Sequence, residues 1–297
     1  MTINGKTIEE IETQNLWDTI FGPDEIGVKV LAQVYRPGQT PFNVTLEKTW
    51  VTVKAVLYSD VRSIDGSVAG YLVLNQFIES AREDIQAAFT EFSNQGVNAM
   101  ILDLRYNSGG RPDLAKYLSE LIAGSHVNGK TFVKVTHNDR YSDWNTEYMF
   151  NEQENALSLS RLVVITTEAS CSASEVVINS LEPFMEVIRI GERTCGKPVG
   201  MYGYDIFDLH ISPIEFRVRN ADDEGDYFDG IAPTCSAVDD LSHDLGDPSE
   251  SSLQEALYYI QTGHCSVSGA KALAVEKKPV PARKPILRGF RREIGAL

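Results

Sequence analysis

The chain has 297 residues, 42% of them apolar and 23% charged, the balance of a soluble globular protein with a sizeable core. A net charge of −15 excludes general binding to nucleic acid, whose phosphates such a surface repels. No run of about 18 apolar residues occurs, which excludes a membrane-spanning helix.

In chain order, 6-KTIEEIETQNLWDTIFG-22 places Ile8, Ile11 and Leu16 at helical spacing and closes on Gly22, predicting a helix. Residues 25–58 alternate apolar and polar in two runs about Arg36-Pro37-Gly38, predicting a strand pair. A further strand is expected in 66-GSVAGYLVLNQF-77. The segment 80-SAREDIQAAFTEFSNQG-96 predicts an amphipathic helix with Ser80 as its cap and Gly96 as its stop. In 97-VNAMILDLRYNSGG-110 a buried strand runs into a Gly-Gly loop, and 113-DLAKYLSELIAG-124 is a helix. The order then repeats: strand 161-RLVVITT-167, helix 172-SASEVVINSLEP-183, strand 186-EVIRIG-191 and loop 192-ERTCGKPVG-200. A late helix is expected over 249–262. Strands alternating with helices indicate an α/β domain with a largely buried sheet. From Lys271 to Leu297 eight Lys or Arg face only Glu276 and Glu293, with Pro279, Pro281 and Pro285 among them. That tail reads as an extended strap against the acidic body, or as a loose terminus.

Ser172-Ala173-Ser174-Glu175 fits a capping box, in which Ser bonds first-turn amides and Glu reaches back. The same strand–turn–helix arrangement exposes a nucleophile in hydrolases, next to free amides and the positive helix end that stabilise an oxyanion. The loop 103-DLRYNSGG-110 can bring further amides. None of the five His sits in a persuasive setting for a base. His126 and His137 lie in polar connecting segments, His243 and His264 near the C-terminus, and His210 in an alternating strand, 205-DIFDLHIS-212. Each reads as structural or solvated. Lys197 follows the next strand of the sheet, and a Lys acts as base when desolvation or nearby positive charge lowers its pKa. Cys171, Cys195, Cys235 and Cys265 lack any CxxC pair and do not read as a zinc site; they permit two disulfides in three pairings. Cys171 or Cys195 as nucleophile has no His nearby to support it.

These segments resemble the tail-specific (C-terminal processing) serine proteases. The pattern S-A-S-A-S-E followed by G-E-x-T-x-G-K stands here as 170-SCSASE-175 and 191-GERTCGK-197. The resemblance continues in 70-GYLVLNQF-77, in 98-NAMILDLRYNSGG-110 and in 230-GIAPTC-235, and covers roughly residues 66–240. It implies Ser172 as nucleophile and Lys197 as base. Ser170 and Ser174 are then rejected candidates, and Glu175 is either an acid supporting the dyad or a capping residue. The oxyanion donors it implies are the amide of Ala173 and one from Gly109 or Gly110. Some members place a Gln four residues after the Lys, where this chain has Met201.

Residues 3–12 and 27–38 resemble only the C-terminal part of a PDZ domain, so the chain reads as N-terminally truncated or as a member with a reduced substrate-gating module. The implied architecture is a ClpP/crotonase-like α/β core of β-β-α units behind a partial PDZ-like module. Its expected divisions are 1–60, a catalytic core over 61–266 and a basic tail over 267–297. The resemblance implies hydrolysis of peptide bonds in protein or peptide substrates with apolar C-termini, without metal or organic cofactor, in the periplasm or cell envelope. Export implies disulfides among the four Cys. The competing readings are a catalytically silent protein that binds a peptide or apolar ligand on the same fold, and an envelope interaction module.

Overall fold

A computed structural model describes residues 1–36, 38–207 and 209–267 and divides the chain into units at Val53/Lys54. The basic tail, with the strap expected of it, lies outside the described residues.

In the first unit β1 (Thr2–Ile3), β2 (Lys6–Thr7), β3 (Lys29–Val34) and β4 (Phe42–Glu47) form an antiparallel sheet ordered β2-β1-β3-β4. The strand pair is as expected, with Val34 opposite Phe42 and Lys29 opposite Glu47. The single helix expected over 6–22 is two short ones, α1 (Ile8–Thr13) and α2 (Trp17–Phe21). Asn15 between them has φ of 50°, which no right-handed helix continues. Thr7 and Glu10 close a capping box on α1, with Glu10 N donating to Thr7 Oγ1 (3.2 Å) and Thr7 N to Glu10 Oε2 (2.8 Å). Ile11, Ile20, Val30 and Ala32 are buried.

The second unit opens with β5 (Val56–Ile64) and β6 (Ser67–Leu74), a hairpin turning at Asp65-Gly66, both at positive φ as such a two-residue turn requires. The strand signal of residues 56–58 therefore belongs here. The division falls at Val53/Lys54 and not after residue 60, because β5 pairs along its length with β6. Helix α3 (Ala81–Asn94) follows; Ser80 makes no side-chain capping bond, and Ala81 N bonds Ile78 O instead. Next come β7 (Ala99–Asp103), α4 (Pro112–Ala123), β8 (Thr131–Thr136), β9 (Thr146–Met149) and β10 (Arg161–Thr166). Helix α5 (Ala173–Leu181) leads to β11 (Glu186–Gly191), β12 (Val199–Met201), β13 (Tyr204–Ile206), β14 (Leu209–Ile211), β15 (Ile214–Arg219), β16 (Cys235–Ser236) and α6 (Ser251–Thr262).

The central mixed sheet runs β16-β11-β10-β7-β6-β5, parallel throughout except for the β5–β6 hairpin. Its parallel strands are continuous apolar runs because both faces are covered: Leu72, Leu102, Val164 and Ile165 are all inaccessible to solvent. Truncating one of them to Ala costs about 2–5 kcal/mol. A second, antiparallel sheet runs β12-β15-β8-β9. The stretch 205–212, expected as one alternating strand, is instead a separate two-stranded hairpin of β13 and β14, with Phe207 at φ of 55° at its tip. Disulfides join Cys171 to Cys195 and Cys235 to Cys265.

Candidate active site

Three loops leave the carboxyl ends of adjacent parallel strands: 104–111 after β7, 167–172 after β10 and 192–198 after β11. Open α/β sheets gather functional groups at this edge, where strand ends and helix starts converge.

The first two loops are stitched together through Asn107, which is fully buried. Its side chain donates to Leu74 O (2.9 Å) and accepts from Gly109 N (2.9 Å). Its carbonyl accepts from Cys171 N (3.0 Å) and from Ser174 Oγ (2.9 Å). Ser170 Oγ donates to Leu104 O (2.7 Å) and accepts from Thr167 N (3.0 Å). The hydroxyls on either side of Ser172 are thus buried and committed to the backbone. Ser172 is the N-cap of α5 at φ of 53° and ψ of −113°, the sharp geometry of a strand-to-helix turn that presents a side chain.

Ser172 and Lys197 both line a cavity of about 550 Å³. Its walls are mainly apolar, with Val133 and Val135 from β8, Val199 and Met201 from β12, and Phe216 from β15. Its lining also includes Gly203, His210 and Ser212 from in and around the β13–β14 hairpin, on which Ile206, Phe207 and Leu209 are exposed. His210 Nδ1 pairs with Asp205 Oδ1 (2.7 Å) on that hairpin. His137, by contrast, stacks on Tyr202 and meets Trp144 edge-on.

Burial pushes the Lys197 ammonium below the ordinary lysine value, and the charge of Glu175 partly offsets this. Among the described residues no carboxylate lies within ion-pair distance of the Lys197 amine. Glu175 is fully buried yet accepts only from uncharged donors: Ser172 N (2.9 Å), Lys197 N (2.8 Å), Gly196 N (2.8 Å) and Thr194 Oγ1 (2.6 Å). One carboxylate therefore fastens the Ser172 turn to the Lys197 loop through their backbones. The sequence left Glu175 between capping and support; its contacts make it the reciprocal cap of α5 and an acceptor for the Lys197 loop.

Gly109 and Gly110 press against the turn. A Cβ on Gly109 would stand 2.8 Å from Ser172 Cβ, and one on Gly110 only 2.2 Å from Phe77 O. Gly109 N is taken by Asn107 Oδ1, which departs from its expected use as an oxyanion donor. Among the described residues, the amides of Gly110 and Ala173 have no internal acceptor, and both residues line the cavity. Sequence reasoning passed over Asn107 and Thr194, although both stand inside the quoted loops and are the polar residues that would have to satisfy buried turns. The two places where Cys and Glu converge, around Glu175 and around Glu255, are each closed by a disulfide, whose sulfurs offer no thiolate to a metal.

A sequence model described as peptidase family S41 matches residues 68–235, more than half of the chain. The chain is 27% identical over 195 residues to the carboxy-terminal processing protease CtpA of Bacillus subtilis (strain 168), covering 66% of this chain and 39% of that protein. A solved candidate S41 protease from Bacteroides fragilis NCTC 9343 superposes with a TM-score of 0.72 at 29% identity, over 89% of this chain and 72% of that one. The photosystem II D1 C-terminal processing protease shares the fold, with a TM-score of 0.53 at 22% identity over 78% and 61% of the two chains. The chain spans about two-fifths of the length of the curated relatives it matches.

Proposed function

The chain belongs to peptidase family S41, and on that premise we propose that it is a serine peptidase acting through Ser172 and Lys197. One observation carries this: of three neighbouring hydroxyls only Ser172 lines the cavity, and the amine sharing that cavity is desolvated and, among the described residues, without a carboxylate in ion-pair distance.

Neutral Lys197 takes the proton of Ser172 Oγ as the oxygen attacks the scissile carbonyl. The amides of Ala173 and Gly110 receive the oxyanion, aided by the positive end of α5. The protonated amine then passes its proton to the leaving nitrogen, and water repeats the sequence on the acyl-enzyme. Glu175 holds the two backbones and leaves the amine unneutralised; a direct ion pair would keep Lys197 protonated and idle.

A mainly apolar cavity, together with the exposed Ile206, Phe207 and Leu209 on the hairpin whose His210 lines it, supports substrates that enter as flexible, apolar polypeptide ends. The opening β5-β6-α3 order supports a ClpP/crotonase-like core, and the small sheet of residues 2–47 supports a reduced PDZ-like module. Two disulfides support work in an oxidising compartment such as the periplasm or cell envelope.

Met201, which lines the cavity and stands where the resemblance implies a Gln in some members, favours a second reading in which the cavity only binds peptide. A fluorophosphonate probe decides between the two. Labelling mapped to Ser172, absent in Ser172→Ala and slowed in Lys197→Ala, is expected of the peptidase; an unlabelled, folded wild type would leave the binding reading.

A further inference from the structure

Cys171 immediately precedes Ser172, and Cys195 stands two residues before Lys197; their disulfide brings the two Cα atoms to 5.2 Å. The bond joins the loop that carries the proposed nucleophile to the loop that carries the proposed base. The remaining ties between these loops are hydrogen bonds: Cys195 N to Ser170 O (3.1 Å), and the amides and the Thr194 hydroxyl gathered on the Glu175 carboxylate. Ser172 stands at φ of 53°, a conformation that a non-glycine residue keeps only where the surroundings over-determine it. Among the described residues no carboxylate pairs with the Lys197 amine, so its position depends on the course of residues 195–197 and on packing in the cavity.

We propose that the Cys171–Cys195 disulfide is a positioning element of the active site, setting the separation of Ser172 Oγ from Lys197 Nζ and keeping the Lys197 loop packed on the cavity. This rests on the Ser172–Lys197 reading above. Cys195 is exposed, so a dithiol reaches the bond. Two electrons and two protons pass from the dithiol, the S–S bond becomes two thiols, and the reagent closes to its own disulfide. The second bridge offers the internal control. It ties β16 to the residues after α6, and Cys235 is fully buried within the sheet core.

The test compares wild type with Cys171→Ser/Cys195→Ser and with Cys235→Ser/Cys265→Ser, each shown to be folded by circular dichroism. The first readout is kinetic. Misplacement of reacting groups by about 1 Å costs on the order of 100-fold in rate. The first pair of substitutions is accordingly expected to lower kcat about 10- to 100-fold with KM within about twofold, and the second pair to leave kcat unchanged. The second readout needs no turnover: titration of the Lys197 amine by NMR of ¹³C-methylated protein, with the resonance assigned through Lys197→Arg. Asp113 and Lys116 of α4, His210 of β14, Tyr148 and Tyr202 line the same cavity, Glu175 acts on the amine by its charge, and none is altered in the variants. Opening the loop admits water, so the titration of Lys197 is expected to move up toward that of an ordinary lysine.

A folded Cys171→Ser/Cys195→Ser protein whose Lys197 titration and kcat match wild type overturns the proposal. If that variant does not fold, the same two readouts are taken on wild type treated with a dithiol below its melting temperature. Should the wild type be inert toward every substrate while Lys197 still shifts on opening the bond, the positioning role stands and the peptidase reading falls.

Discussion

Two buried carboxylate centres sit near the same end of the sheet and are satisfied in opposite ways. Asp103 accepts from Tyr71 OH (2.9 Å) and pairs with Arg105 (2.7 Å), which also pairs with Glu250 (2.8 Å). Glu250 in turn accepts the first amides of α6, Ser252 N (3.1 Å) and Leu253 N (2.9 Å). This centre is ionic, and it fastens β7 to α6. Burial beside Asp103 pushes the Tyr71 phenol up, and the two acids hold the Arg105 guanidinium charged against its own desolvation. Among the described residues Glu175 makes no ion pair: three amides and a hydroxyl meet it, and its charge acts on the Lys197 amine only from beyond ion-pair distance. The difference teaches that a buried acid can organise a site without neutralising it. Where the task is to hold a helix, a salt bridge serves. Where a neighbouring amine has to lose its proton, neutral donors fix the geometry and leave the amine free.

The sharpest way to break this comparison is to remove the cation from the first centre. Arg105→Met leaves two buried acids uncompensated, which is expected to cost about 3–5 kcal/mol. For a unit of this size that lowers the melting temperature by roughly 10 °C, while kcat per folded molecule at lower temperature and the pH profile stay as in wild type. Calorimetry with active-site titration checks both halves.

Glu175→Gln makes the converse change. It keeps one acceptor oxygen and turns an amide N–H toward donors, so the expected destabilisation is smaller, about 1–3 kcal/mol. Turnover falls on the order of 10- to 100-fold, because both loops lose their common anchor. If Arg105→Met and Glu175→Gln shifted stability and kcat in the same proportion, the two centres would not differ in kind.

The third test restores the charge that the second centre lacks. Met201→Glu puts a carboxylate on the cavity wall. In the proposed mechanism activity needs neutral Lys197, so the rate is expected to rise with pH through the pKa of that amine. Burial places this pKa below the ordinary lysine value, and a nearby anion moves it back up. The acid limb of kcat/KM is expected to shift about one unit to higher pH, whereas Met201→Gln leaves it in place. The smallest effect is expected on the β13–β14 hairpin. Phe207, 98% exposed, packs on nothing it could destabilise. Phe207→Ser should change stability by no more than about 0.5 kcal/mol and raise KM several-fold for an apolar-tailed substrate, with kcat unchanged.

Much of the site was legible because buried parallel strands leave an unmistakable trace. The runs around Ile101 and Val164 are apolar at every position, and the turns after them carry the glycines and hydroxyls that tight turns require. Ser172, Glu175 and Lys197 stand where those traces end. The cavity wall was not legible. Strands β8, β9, β12 and β15 have three to six residues each, too short for a periodicity, and they pair across long sequence separations that no local pattern reports. The disulfide pairing was open for the same reason: Cys171 and Cys195 meet only because β10 and β11 are neighbours. The hairpin at 204–211 looked like one strand because its tip, Phe207, is apolar, and only its positive φ reveals the turn. The helix expected over residues 6–22 failed at Asn15 by the same kind of local backbone choice.

The measurement that tests the central claim most directly is cleavage of a disordered protein with an apolar C-terminus by wild type, Ser172→Ala and Lys197→Ala, with folding of all three verified. Removal of a nucleophile or of its base costs about four to six orders of magnitude in rate. The account predicts wild-type cleavage that withstands chelators and disappears in both variants. Cleavage persisting at the wild-type rate in Ser172→Ala, or in Lys197→Ala at neutral pH, would contradict it.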